Sequence, residues 1–139
     1  MQTSYRYGLL LSTLALWGVM LGCNSQPESP IPLKQIAGTV TLNGEPLPAG
    51  SITFMPVAGT NSSTGEIVEG KFKLSTFSKD DGAPAGEYKV AVTAWTTLPD
   101  MGVEGVPAIP KQYFDANTSG LTATISEDAK QDIPIALTR

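Results

Sequence analysis

The chain has 139 residues, 9 basic and 13 acidic side chains for a net charge of −4, one cysteine and no histidine. The acidic balance disfavours an electrostatic footprint for nucleic acid, and the missing histidine excludes Ser/His/Asp and Cys/His nucleophilic sites and any His-ligated zinc. One cysteine permits no intrachain disulfide, and the length suits one packed domain, too few residues for two.

At the N-terminus, Met1 to Tyr7 carry a single positive charge, Arg6, ahead of an apolar run from Gly8 to Leu21. That is the layout of a signal peptide, and the run is shorter than the roughly 20 apolar residues of a membrane-spanning helix. Met20-Leu21-Gly22-Cys23 follows directly and resembles the lipobox of bacterial lipoproteins, with a small residue before the cysteine that is acylated. The resemblance implies removal of residues 1–22, leaving 117 of the 139, and attachment to a membrane through lipidated Cys23. The alternative for Cys23 is an ordinary buried thiol. Residues 23–34 read as the lipidated cysteine and a tether, because Pro27, Pro30 and Pro32 prevent helix and favour extended chain. Asn24 stands where some lipoproteins retained at the inner membrane carry aspartate, which places the expected address in the cell envelope at the outer membrane.

From residue 35 to 139 the pattern is that of short strands. Ile36, Val40 and Leu42 alternate with Thr39 and Thr41, and Asn43-Gly44 then supplies two residues that tolerate the positive φ of a type I′ turn. Ile52 and Phe54 alternate in the next strand, before a stretch from Val57 to Gly65 whose Gly, Asn, Ser and Thr content predicts an exposed connection. Glu66-Ile67-Val68 leads to a turn at Glu69-Gly70. Phe72 and Leu74 alternate with Lys71 and Lys73, and Tyr88, Val90, Val92 and Ala94 with Lys89, Ala91 and Thr93. Leu121, Ala123 and Ile125 repeat the device, as do Ile133, Ile135 and Leu137, while Pro134 sends the last strand to a sheet edge. No stretch has helical periodicity. Six or seven such strands predict an all-β domain, a seven-stranded antiparallel β-sandwich.

Residues 36–54, Ile-Ala-Gly-Thr-Val-Thr-Leu-Asn-Gly-Glu-Pro-Leu-Pro-Ala-Gly-Ser-Ile-Thr-Phe, are similar to the opening of carboxypeptidase regulatory-like, or transthyretin-like, domains. Gly70-Lys71-Phe72-Lys73-Leu74 and Ala85-Gly86-Glu87-Tyr88-Lys89-Val90 resemble two later strands of that family. The resemblance implies a seven-stranded transthyretin/prealbumin-like sandwich serving as an accessory, adhesive or stabilising module. Some transthyretin-like proteins are hydrolases that depend on histidines, which this chain lacks. Where the family often has an acidic metal-binding turn, this chain has Ile67-Val68-Glu69-Gly70, so no metal is expected there.

Two segments remain as candidates for function. Asp80-Asp81-Gly82 with Glu87 offers carboxylates that a calcium ion would need, but an Asp-Gly turn accounts for the same residues by backbone chemistry. Thr96 to Gly120 is longer than most structureless connections and carries Met101, Val103, Val106, Ile109, Tyr113 and Phe114. These apolar side chains either contact a partner or fold back over a sheet edge. Trp95 lies on the opposite alternation from Val90, Val92 and Ala94, where it either forms a platform for a sugar or protein or packs under the loop. The sequence therefore predicts a membrane-anchored, non-catalytic envelope module, binding or structural, without cofactor or metal, with Trp95, Met101, Tyr113 and Phe114 as the candidate contacts for an envelope protein or a ligand. Recognition of a carbohydrate or small ligand is the alternative, and a hydrolase is a weaker one.

Overall fold

The computed structural model describes residues 30–128 and 130–139, so the signal-peptide segment, Cys23 and most of the tether lie outside the described residues. Strand β1, Gln35–Leu42, buries Ile36, Gly38 and Val40 and ends at Asn43 (φ 53°) and Gly44 (φ 87°), which turn the chain into β2, Glu45–Pro46. Both φ angles are positive, as a two-residue type I′ turn demands. Strand β3, Ala49–Pro56, buries Ile52 and Phe54, and β4, Ser63–Val68, buries Ser63 and Ile67. Glu69 (φ 50°) and Gly70 (φ 75°) repeat the turn, leading to β5, Lys71–Lys73, which turns Phe72 inward and its two lysines outward. Strand β6, Gly86–Thr93, is followed by the short pair β7, Trp95–Thr97, and β8, Val106–Pro107, and by a one-turn 3₁₀ helix, Lys111–Phe114. Strands β9, Leu121–Ile125, and β10, Lys130–Leu137, complete the chain.

The main sheet runs β10-β1-β5-β4-β3-β6-β9, with β2 paired to β1, and it makes the protein all-β. Its neighbours are antiparallel except β1 and β10, which run parallel from Gln35↔Lys130 to Leu42↔Leu137. Alternation in a sequence shows which side chains face inward but is blind to the direction of the neighbouring strand, so the expectation of antiparallel pairing throughout fails at this pair. Pro134 sits on the edge strand, where its missing N–H leaves no ladder position empty.

The sheet curls on itself: Ile135 and Leu137 from one end of the strand order and Ala123 and Ile125 from the other join the same cluster as Ile52, Phe54 and Val90. Phe54 is at its centre, with ring centroids 6.0 Å from Phe72 and 5.8 Å from Tyr88. The Phe72 ring lies directly over Gly38 on the paired strand, where a Cβ would strike the ring and the Ile133 carbonyl. A glycine in a strand costs backbone entropy, and here it makes room for an aromatic core residue.

Residues 57–65 are not wholly an exposed connection. β4 already begins at Ser63, which is 0 % exposed; its hydroxyl donates 2.7 Å to Thr76 Oγ1, which in turn donates 2.6 Å to the Gly82 carbonyl. Polar composition signals a loop only when the hydroxyls go to water, and these are satisfied internally.

Candidate functional site

Two surfaces and one turn carry the side chains that bear on function. The first surface is the arm formed by β7 and β8, in which Trp95 pairs with Pro107 and Thr97 with Val106. Its tip is closed by two backbone hydrogen bonds between Asp100 and Val103, at 3.2 and 2.9 Å, and the Asp100 carboxylate takes the Met101 N–H at 2.7 Å. Met101 is consequently 98 % exposed, and Leu98, Val103 and Val106 beside it are exposed as well. The arm is rooted where Ala108 N–H meets the Ala94 carbonyl and Arg139 donates 3.3 Å to the Ala108 carbonyl. Arg139 N–H also meets Asn43 Oδ1 at 3.1 Å, which puts the root at the end of β1 opposite Lys34. The eight residues of β1 lie between Lys34 and Asn43, a span of about 30 Å in extended chain.

The remaining predicted contact residues do not share that exposure. Trp95 is half-buried: Phe114 meets it edge-on with centroids 5.0 Å apart, and Gly105 packs so closely on the indole that a Cβ there would stand 2.8 Å from Cε3. Tyr113 is 5 % exposed; its hydroxyl accepts the Thr138 N–H at 3.1 Å and lies 3.2 Å from the Thr138 carbonyl, so it ties the 3₁₀ helix to the C-terminus and offers no surface to a partner. Ile109 is buried too, and Ser119 fixes the far end of the segment by donating 2.6 Å to the Val90 carbonyl. Residues 96–120 are thus an arm plus a cover over the core rather than a structureless loop, and the alternation that pointed Trp95 outward could not show that the chain returns across it.

The turn at Asp80-Asp81-Gly82 is built by the backbone. Asp81 Oδ1 accepts the Thr76 N–H at 2.6 Å, and Oδ2 accepts those of Phe77 at 2.9 Å and Ser78 at 2.7 Å. Partial burial pushes this carboxyl up, but the backbone donors outweigh it and hold it below its ordinary value. A group depressed on folding contributes stability that is present above its unfolded pKa and is lost as pH falls through the folded one. Asp81→Ala is therefore expected to cost about 1–2 kcal/mol at neutral pH. The gap from wild type should narrow as the solution is acidified through the carboxylate range, and denaturant midpoints that keep the same spacing at every pH would refute the assignment.

The second surface is a groove of about 1070 Å³ on the outer face of β10, β1, β5, β4 and β3. Its floor is made of small residues, Ala37, Gly38 and Gly65, with hydroxyls from Thr39, Ser51 and Thr64. Lys71 and Lys73 stand in it because they flank the inward Phe72 on β5, while Lys79 comes from the turn and Lys130 from the edge strand. Sequence reasoning places Lys71 and Lys73 on an outer face, but it had no signal for Lys79 and Lys130, which only strand order brings there.

Neither a protein-family model nor a curated protein matches this chain. Among solved structures it is similar to a 9R-lipoxygenase from Cyanothece, with 17% identity and a TM-score of 0.38, over 83% of this chain and 18% of that one. The chain spans less than a fifth of that protein's length, and a likeness at this level assigns neither a fold type nor an activity.

Proposed function

We propose that the protein is a lipid-anchored, non-catalytic module of the cell envelope, probing its surroundings with a β-domain held on a short tether. The observation that carries the reading is the polarity of the domain: the tether enters at Lys34, and the arm with Met101 at its tip is rooted one strand length away, at the other end of β1. Cys23 precedes Lys34 by a Pro-rich segment that extends at about 3.1 Å per residue, enough to hold the domain some tens of ångströms from its anchor. Acylation at Cys23 thus turns the Lys34 end toward the lipid and presents the arm, with exposed Leu98, Met101, Val103 and Val106, to an envelope protein. Two or more acyl chains make such attachment stable, where one is marginal.

The finer fold in this reading is a seven-stranded sandwich of the carboxypeptidase regulatory-like kind spanning residues 35–139. Seven strands in the main order, the Gly38 and Phe72 pairing and the two turns at 43–44 and 69–70 support it. Sugar recognition draws less support, since an open aromatic face is what a sugar stacks on and Trp95 is pressed between Gly105 and Phe114. Fractionation of cells expressing wild type and Cys23→Ala tests the anchor. The wild type is expected in the membrane fraction and the variant in the soluble one; unchanged membrane retention of the variant would end the proposal.

A further inference from the structure

The groove on the outer sheet face gathers charge in a way the rest of the chain does not. Four of the seven lysines in the sequence, at positions 71, 73, 79 and 130, line it, against three of the thirteen carboxylates; the other five basic side chains stand against ten acidic ones. Among the described residues none of these four ammonium groups has a carboxylate at ion-pairing distance, whereas Lys34 pairs with Glu127 at 3.4 Å and Lys111 with Glu104 at 3.6 Å. An acidic protein has thus gathered four cations without carboxylate partners in one concave surface, where their fields add and counter-charge is favoured.

We infer that this groove docks an extended acidic peptide segment of a partner protein, lying along β5 with carboxylates at alternate positions. Three features favour a peptide over other anions. Lys71 and Lys73 are two residues apart on a strand, so they project from the same face about 6.6–6.8 Å apart, which is the repeat of alternate side chains in any extended chain. The outward side chains on the floor are small, Ala37 with the Thr39, Ser51 and Thr64 hydroxyls, which lets a backbone approach closely and offers it hydrogen-bond partners. A sugar polymer would need a stacking surface, and the aromatic side chain in the lining, Phe72, is 3 % exposed. Glu66, Asp80 and Asp132 stand within the same lining and select against anions that do not match the lysine spacing. The inference is independent of whether Cys23 is acylated.

The test titrates the full chain in neutral detergent with a fluorescein-labelled peptide of five Glu-Thr repeats. The matched Gln-Thr peptide and an oligogalacturonate of equal charge serve as competitors. Saturable binding that weakens steeply with added salt is expected, with competition by neither control. The Lys71→Gln/Lys73→Gln variant should bind about tenfold or more weakly, whereas Lys89→Gln, at an exposed β6 position hydrogen-bonded to Asn117, should bind as wild type does. Equal denaturation midpoints for the three proteins secure the comparison. No binding to wild type, equal loss in the Lys89 variant, or stronger competition by the oligogalacturonate than by unlabelled acidic peptide would overturn the inference.

Discussion

Replacing Phe54 by alanine is expected to lower the unfolding free energy by about 3–5 kcal/mol, the range for removing a fully buried aromatic side chain. The position leaves little room for compensation. Phe54 is 0 % exposed on a strand with partners on both sides, β4 and β6, and its ring is wedged between Phe72 and Tyr88. Interiors are packed like crystals, so neighbours held in a sheet ladder collapse only partly into a vacated volume. A domain of this size has a total stability of about 5–15 kcal/mol, so the variant retains a thin margin. Its melting temperature should fall by more than about 12 °C, while Phe54→Leu, which keeps much of the volume, should fall far less. Similar melting temperatures for wild type and Phe54→Ala would mean that the core is not centred on this ring.

The second large effect concerns Gly82. Its φ is +98°, and a Cβ there would fall on the backbone carbonyl of Lys34, the group that accepts the Ala83 N–H at 3.0 Å. Alanine at this position therefore meets two independent penalties, a positive φ that costs an L-residue about 1–2 kcal/mol and a steric conflict with main chain costing about 1–3 kcal/mol. A flexible side chain can step aside, but the Lys34 carbonyl cannot move without breaking the reciprocal pair it forms with Ala83, whose other member is the Lys34 N–H to the Ala83 carbonyl at 2.8 Å. In the proposed function that pair is also where the tether would join the domain. Gly82→Ala should lower the denaturation midpoint and accelerate hydrogen exchange at the Lys34 and Ala83 amides ahead of the rest of the sheet. Loss of midpoint with those two amides still as protected as the core would show that the strain is absorbed elsewhere.

Loss of the Asp81 carboxylate and of Gly82 act on one small structure. The carboxylate gathers the amides of residues 76–78, the Thr76 hydroxyl donates a hydrogen bond to the Gly82 carbonyl, and Gly82 brings the chain against Lys34. The carboxylates that suggested a cation site at residues 80–82 thus have a structural task in Asp81, which already accepts three backbone protons. Because the two positions share partners, their destabilisations should not add, and a double variant less damaged than the sum of the singles is the expected pattern.

Short-range order is legible in the sequence itself. The strand around Tyr88, Val90 and Val92, the strand around Phe72, the positive-φ turn at Asn43-Gly44, the existence of a turn at Glu69-Gly70 and the edge position of Pro134 follow from side-chain period, from the few residues that favour turns or tolerate a left-handed backbone, and from proline's missing N–H. Each of these depends on neighbours within a few residues, so the sequence alone carries it. The parallel partnership of β1 with β10, the burial of Tyr113 and the cover over Trp95 depend on residues tens of positions away, as do the inward hydroxyl of Ser63 and the arrival of Lys79 and Lys130 beside Lys71 and Lys73. Alternation tells a residue which face of its strand it occupies, but not which strand lies next to it or what chain crosses over it. The anchor proposed at Cys23 rests on a local motif, which the sequence carries by itself; the groove and the direction of the arm exist only once the sheet has curled and set distant residues side by side.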